Sequence, residues 1–139
     1  MKHNTDTLWV TLTGGTISSV AYLFGGLDNL ATAFIILMLL DYITGVGAAF
    51  YDKKVSSKVG TKGLIKKGGM LSLVIVANQV DIILGNDGQF IRYAMLMFLI
   101  ATEGISLIEN LGRMGVKVPK FLSDRFAQLQ NDNEENSNK

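Results

Sequence analysis

Apolar positions fall into four long blocks, about residues 7–27, 30–50, 68–85 and 91–111, broken by two short Gly/Asp/Asn turns and one lysine-rich stretch. A helix of about 20 apolar residues crosses the roughly 30 Å hydrocarbon core of a bilayer. The pattern therefore predicts an all-α integral membrane protein: about four transmembrane helices arranged as two hairpins. A Lys-rich loop joins the hairpins, and a short amphipathic helix follows them.

The first block, Thr7 to Leu27, carries no charge. Its Thr11, Gly14, Gly15, Ser18, Tyr22 and Gly25 recur at helical spacing, a small and polar stripe that lets membrane helices approach closely. Helix packing is the first reading of this stripe and a pore lining the second. A cleavable leader is a further alternative, since Lys2 precedes an apolar run and Ser19-Val20-Ala21 resembles a cleavage site.

The second block, Leu30 to Phe50, is apolar around its whole circumference except at Asp41 and a few small or hydroxyl residues, whereas a soluble surface helix would show a polar face. A mid-helix Asp costs roughly 2.5–3.5 kcal/mol on insertion, and each Leu, Ile, Phe or Val returns about 0.3–0.6. Ten such residues offset it, so the block spans with Asp41 turned toward a partner. Asn78 and Asp81 share one face of the third block. In the fourth, Glu103, Ser106 and Asn110 form a stripe with Glu109 beside them.

After Pro119, the residues Phe121, Leu122, Arg125, Phe126 and Leu129 read as a surface-lying or partner-binding helix, and Asn131 to Lys139 as a disordered polar tail. The expected division is a membrane domain over 1–122 and a cytoplasmic end over 123–139.

Composition narrows the function. Hydrophobic residues make up 48% of the chain and charged ones only 18%, so the near-zero net charge hides strong segregation. A nucleic-acid partner is not expected, because the basic residues are not spread over a folded face. With no Cys and one histidine, His3, the chain lacks thiolate chemistry, a histidine metal site and a histidine general base. No cofactor, metal or catalytic residue is expected.

Charge also sets orientation. The stretch Tyr51 to Gly69 holds Lys53, Lys54, Lys58, Lys62, Lys66 and Lys67 against a single acid, Asp52. Of the thirteen Lys and Arg residues only Arg92 falls on the side of the two short turns, so the positive-inside rule places the loop and both termini in the cytoplasm. A three-span version, with the first block only surface-bound, keeps the loop inside and moves the N-terminus out.

Ionisable and polar groups at membrane depth usually face a protein interior or water. Asp41, Asn78, Asp81, Glu103, Ser106, Glu109 and Asn110 are accordingly the candidate site, with Gly45 joining the helix-packing set. Two readings stand: hydrogen-bonded glue between helices, or the lining of a hydrated pathway.

Two motifs resemble a known family. Asp41-Tyr42-Ile43-Thr44-Gly45, with Ala48-Ala49, Ser56-Ser57-Lys58, Gly63-Leu64 and Lys66-Lys67, looks like the toxin-secretion/phage-lysis holins (phage holin family 4). The stretch from Ile108 to Gly115, continuing Val118-Pro119-Lys120-Phe121-Leu122, is similar to that family's C-terminal signature. The resemblance implies a homo-oligomer in the host bacterial cytoplasmic membrane that opens timed lesions. Through these an endolysin, or in some relatives a toxin, leaves the cell, and an antiholin is a possible further partner. The rival readings are a small ion- or proton-translocating protein using Asp41 and Glu103, and a membrane scaffold whose C-terminal helix recruits a soluble partner.

Overall fold

The computed structural model describes residues 2–137, and Asn138 and Lys139 of the expected tail lie outside them, as does the side chain of His3. Five helices make up the described chain: α1 (Lys2–Leu23), α2 (Asn29–Tyr51), α3 (Ser57–Leu84), α4 (Phe90–Arg113) and α5 (Lys120–Ser137). The all-helical expectation holds.

Three of these helices, α2, α3 and α4, are long and apolar enough to cross a membrane. They pack around α4. Their shared core is Ala31, Phe34 and Met38 from α2, Met70 and Val74 from α3, and Leu96, Leu99 and Ile100 from α4. Ile36, Leu39, Ile43, Val76 and Ile83 remain exposed on the outside. An apolar core inside an apolar exterior suits a bundle whose solvent is lipid.

Local chemistry sets the helix ends. The Asp28 carboxylate accepts from Ala31 N–H at 2.9 Å and starts α2, and Ser56 Oγ accepts from Val59 N–H at 3.3 Å and starts α3. Gly85, with φ +68°, ends α3 in the left-handed conformation that glycine adopts freely.

The structure redraws three boundaries. The lysine-rich stretch is not a loop through Gly69: only Asp52–Ser56 connects α2 to α3, and residues from Ser57 onward are helical. Once Ser56 caps the chain, the few β-branched residues and glycines that follow are carried into the helix by the packing downstream. The helix that holds the third apolar block thus begins well before residue 68.

α1 differs from the expected first span. It stops at Leu23 and is not among the helices apolar enough to cross on composition. Its threonines and serines dilute it, although Thr11, Thr13, Thr16 and Ser19 turn their hydroxyls back onto carbonyls four residues earlier, at 2.7–2.8 Å. α5, finally, continues through Ser137 where the composition pointed to an unstructured tail. Its half-buried Phe126 and Leu129 lie on the side that docks on α4, and a helix fixed there extends at little further cost.

Candidate functional site: two buried polar layers

Polar side chains interrupt the apolar core at two depths. The deeper layer is assembled from all three apolar helices. Lys67 of α3 forms ion pairs with both Asp41 of α2 and Glu103 of α4, and all three are buried. Asn110 of α4 closes the layer, donating from Nδ2 to Asp41 Oδ1 at 3.0 Å and to the Asp41 carbonyl at 3.3 Å. Gly45, one turn beyond Asp41, makes room: a Cβ there would stand 3.4 Å from Asn110 Nδ2.

The register is consistent across the helices. Asp41 lies ten residues before Tyr51, Lys67 ten after Ser57, and Glu103 ten before Arg113. At 1.5 Å per residue each is about 15 Å from the lysine-rich end of its helix, half the thickness of a hydrocarbon core.

An ammonium and two carboxylates buried this far inside an apolar core are tolerable only because they neutralise and hydrogen-bond one another. The balance is incomplete. One cation faces two acids, and Glu103 Oε1, on a residue with no exposed surface, has no hydrogen-bond partner.

The second layer lies at the opposite end and centres on Arg92, which is wholly buried. Its guanidinium donates to the carbonyl of Phe24, to the carbonyl of Gly26 at 2.7 Å and to Asp28 Oδ2 at 2.7 Å. Asn78 Nδ2 donates to the Leu23 carbonyl at 3.0 Å and Gln89 Nε2 to the Gly25 carbonyl at 2.9 Å. Three side chains of the α3–α4 hairpin thus satisfy the carbonyl of Leu23, which ends α1, and those of the turn residues Phe24, Gly25 and Gly26. Gly25, with φ +73°, is required here, because a Cβ would collide with the Asn78 amide.

Asp81 caps α4 from a distance. Gln89, at the N-cap position, makes no side-chain capping bond, and Asp81 instead accepts from Ile91 N–H at 3.1 Å and Arg92 N–H at 2.7 Å. The Arg92 guanidinium hydrogen-bonded to Asp28 holds that carboxyl below its usual value, against the opposing effect of burial.

The predicted residues therefore separate. Asp41, Glu103 and Asn110 share the deep layer, and half-buried Ser106 lines the cavity beside it. Asn78 and Asp81 belong to the other layer. Glu109 is exposed. Gly14 and Gly15 have nothing within 4 Å, and Ser18 is exposed, so α1 presents its small stripe to no other helix of the chain. Lys53, Lys54, Lys58, Lys62 and Lys66 are exposed at the lysine-rich end. Lys67 is not: it leaves that group for the deep layer.

Arg92 enters the sequence reading only as a charge on the side of the short turns, and neither it nor Asp28 nor Gln89 is read there as part of a site. Lys67 had a signal there, since Lys67, Met70, Val74, Asn78 and Asp81 continue one helical stripe straight out of the lysine run. At the lysine-rich end Arg113 Nη2 meets Asp52 Oδ2 at 2.6 Å, joining the ends of α4 and α2. Among the described residues no cluster of His, Cys, Asp or Glu is arranged to hold a metal ion.

Comparison with known proteins matches residues 18–131 to the bacteriophage holin family. An uncharacterized protein of Listeria innocua is 41% identical over 85% of this chain and 86% of its own length. A "probable holin" of Bacillus phage phi105 is 37% identical over 86% of this chain and 87% of its own. An uncharacterized protein of Bacillus subtilis is 36% identical over 84% and 82%. No solved structure matches.

Proposed function

Because the chain belongs to the bacteriophage holin family, we propose that it accumulates in the bacterial cytoplasmic membrane, oligomerises, and at a set time opens lesions through which a cell-wall-degrading endolysin escapes. It is a membrane-embedded, non-enzymatic protein on this reading. The observation that carries the proposal is the deep layer, to which each of the three apolar helices contributes a charge while α1 is left with apolar residues exposed along its length.

In a closed subunit these charges face one another, with one carboxylate oxygen left over. If the helices part, Asp41, Lys67, Glu103 and Asn110 become hydrophilic walls that line water instead of lipid. Polar groups at membrane depth thus act as glue in one state and as a lining in the other. Exposed α1, with Gly14, Gly15 and Ser18, is the surface proposed for contact between copies.

The exposed lysines at the α2–α3 connection, with Arg113 and Lys117, favour a cytoplasmic location for that end. If α1 crosses the membrane, the N-terminus lies there too. The cargo is an endolysin or a secreted toxin, and an antiholin is a possible regulator. Nothing in the comparisons favours the proton-carrier reading.

The test is inducible expression in bacteria that also produce an endolysin, with an uncoupler added at intervals. Abrupt lysis, advanced by the uncoupler and shifted in time by Asp41→Asn or Glu103→Gln without loss of membrane insertion, is expected. Gradual growth inhibition, or unchanged timing in both variants, contradicts the proposal.

A further inference from the structure

The deep layer opens toward the lysine-rich end of the bundle. A cavity of about 520 Å³ runs from it to the α2–α3 connection, with Asp41, Lys67, Ser106 and Asn110 at its inner part and Ser56 and Ser57 near its mouth. On the other side, Phe34, Met38, Met70, Val74, Leu96 and Leu99 fill the space between this layer and the one around Arg92. The recess at the opposite end is lined by Asn78, Asp81 and the residues of the α3–α4 turn, and shares no residue with the first.

Glu103, ion-paired to the Lys67 that lines this cavity, carries in Oε1 a buried polar atom without a partner among the described residues. Lys67 of α3 pairs with Glu103 directly, Asp41 of α2 shares that lysine, Asn110 of α4 bonds Asp41, and Lys66 and Ser106 lie on the cavity wall. α5 places the Phe126 ring against the adjoining Gly104. The local count is one ammonium held between two carboxylates. An added proton cancels the surplus negative charge and turns the bare oxygen, or its neighbour on the same carboxyl, into a donor.

We propose that Asp41, Lys67 and Glu103 form a binding site for a single proton, shared by the two carboxyls and exchanged only with the lysine-rich side of the membrane. The step is a plain association: a proton from water in the cavity joins a carboxylate oxygen and leaves by the same route. The apolar layer blocks the other route, so the closed subunit binds a proton without carrying it across. The site rests on the membrane-spanning reading of α2, α3 and α4, and deepens it by giving the deep layer a ligand.

The experiment uses the full-length chain in vesicles of uniform orientation, checked by trypsin access to the α2–α3 connection. Infrared difference spectra are recorded after a pH step on either side. The expected result is a carboxylic-acid C=O band that responds to pH on the lysine-rich side and not to pH on the other. It shifts in deuterium oxide, changes in Glu103→Gln and Asp41→Asn, and is lost in the double variant. No such band, a band that follows the opposite side, or one unchanged in the double variant would overturn the proposal. The sidedness is read on the unaltered chain, so it stands even if a variant fails to fold. The readout requires no lesion. A chain that shows the band and releases no cargo refutes the holin reading alone, and one that lyses cells without the band refutes this site alone.

Discussion

Arg92 Nη1 donates to Asp28 Oδ2 at 2.7 Å across 64 residues of chain, tying the start of α4 to the start of α2. Asp28 serves twice, since it also caps α2 through Ala31 N–H. Its depressed carboxyl pKa means that stability from the charged form is full above the ordinary Asp value and is lost as pH falls through the lower, folded one. Asp28→Asn keeps a capping side chain and loses the charge. The melting-temperature advantage of the native chain over this variant in detergent should shrink as pH drops below about 4. A pH-independent gap would show that the charge is irrelevant.

The neighbouring lysines Lys66 and Lys67 should behave oppositely. Lys67→Met strands two buried carboxylates, and breaking a buried pair this way typically costs about 3–5 kcal/mol. Lys66 is exposed, so Lys66→Met should stay within about 0.5 kcal/mol of the native chain. Equilibrium unfolding in detergent compares them, and equal losses would refute the buried placement of Lys67.

How legible this was in the sequence depends on the element. Asp41, Glu103 and Asn110 stand out because an acid or amide inside an apolar run has few explanations other than a partner. Their separation from Asn78 and Asp81 is visible only in the structure, because the apolar runs mark which residues are buried and not which helices bring them together. Lys67 carries a signal in its stripe with Met70 and Val74, but it also ends a run of exposed lysines, and composition assigns a run one role. Arg92 was hidden because its partners are mainly backbone carbonyls of a distant turn, which no side-chain pattern announces. α1 is ambiguous for a simpler reason: its hydroxyls bond to its own backbone, a compensation that a hydropathy scale does not credit.

α5 depends on a missing side chain. A Cβ on Gly104 would lie 2.5–2.6 Å from the Phe126 ring, so Gly104→Val should push α5 off α4 and open Arg125 to trypsin. Adding Phe126→Ala to that variant should restore protection in part. If Gly104→Val leaves cleavage unchanged, α5 is not held at this point.

The absence of cysteine makes topology directly measurable. Single cysteines at Thr5, Lys54 and Asn86 can be labelled with a membrane-impermeant thiol reagent in intact cells and in inverted vesicles. If α1 crosses the membrane, positions 5 and 54 react from the cytoplasmic side and position 86 from the other. Labelling of position 5 together with 86 would reduce the crossing helices to three.

The most direct test of the account is release of cargo by the purified full-length chain from liposomes that hold both a pH-sensitive dye and a folded protein of endolysin size. The account predicts that the protein escapes together with the pH gradient, after a lag that shortens when an imposed membrane potential is collapsed. Collapse of the gradient with the protein retained would contradict it, and would make the chain a carrier of protons instead of a maker of holes.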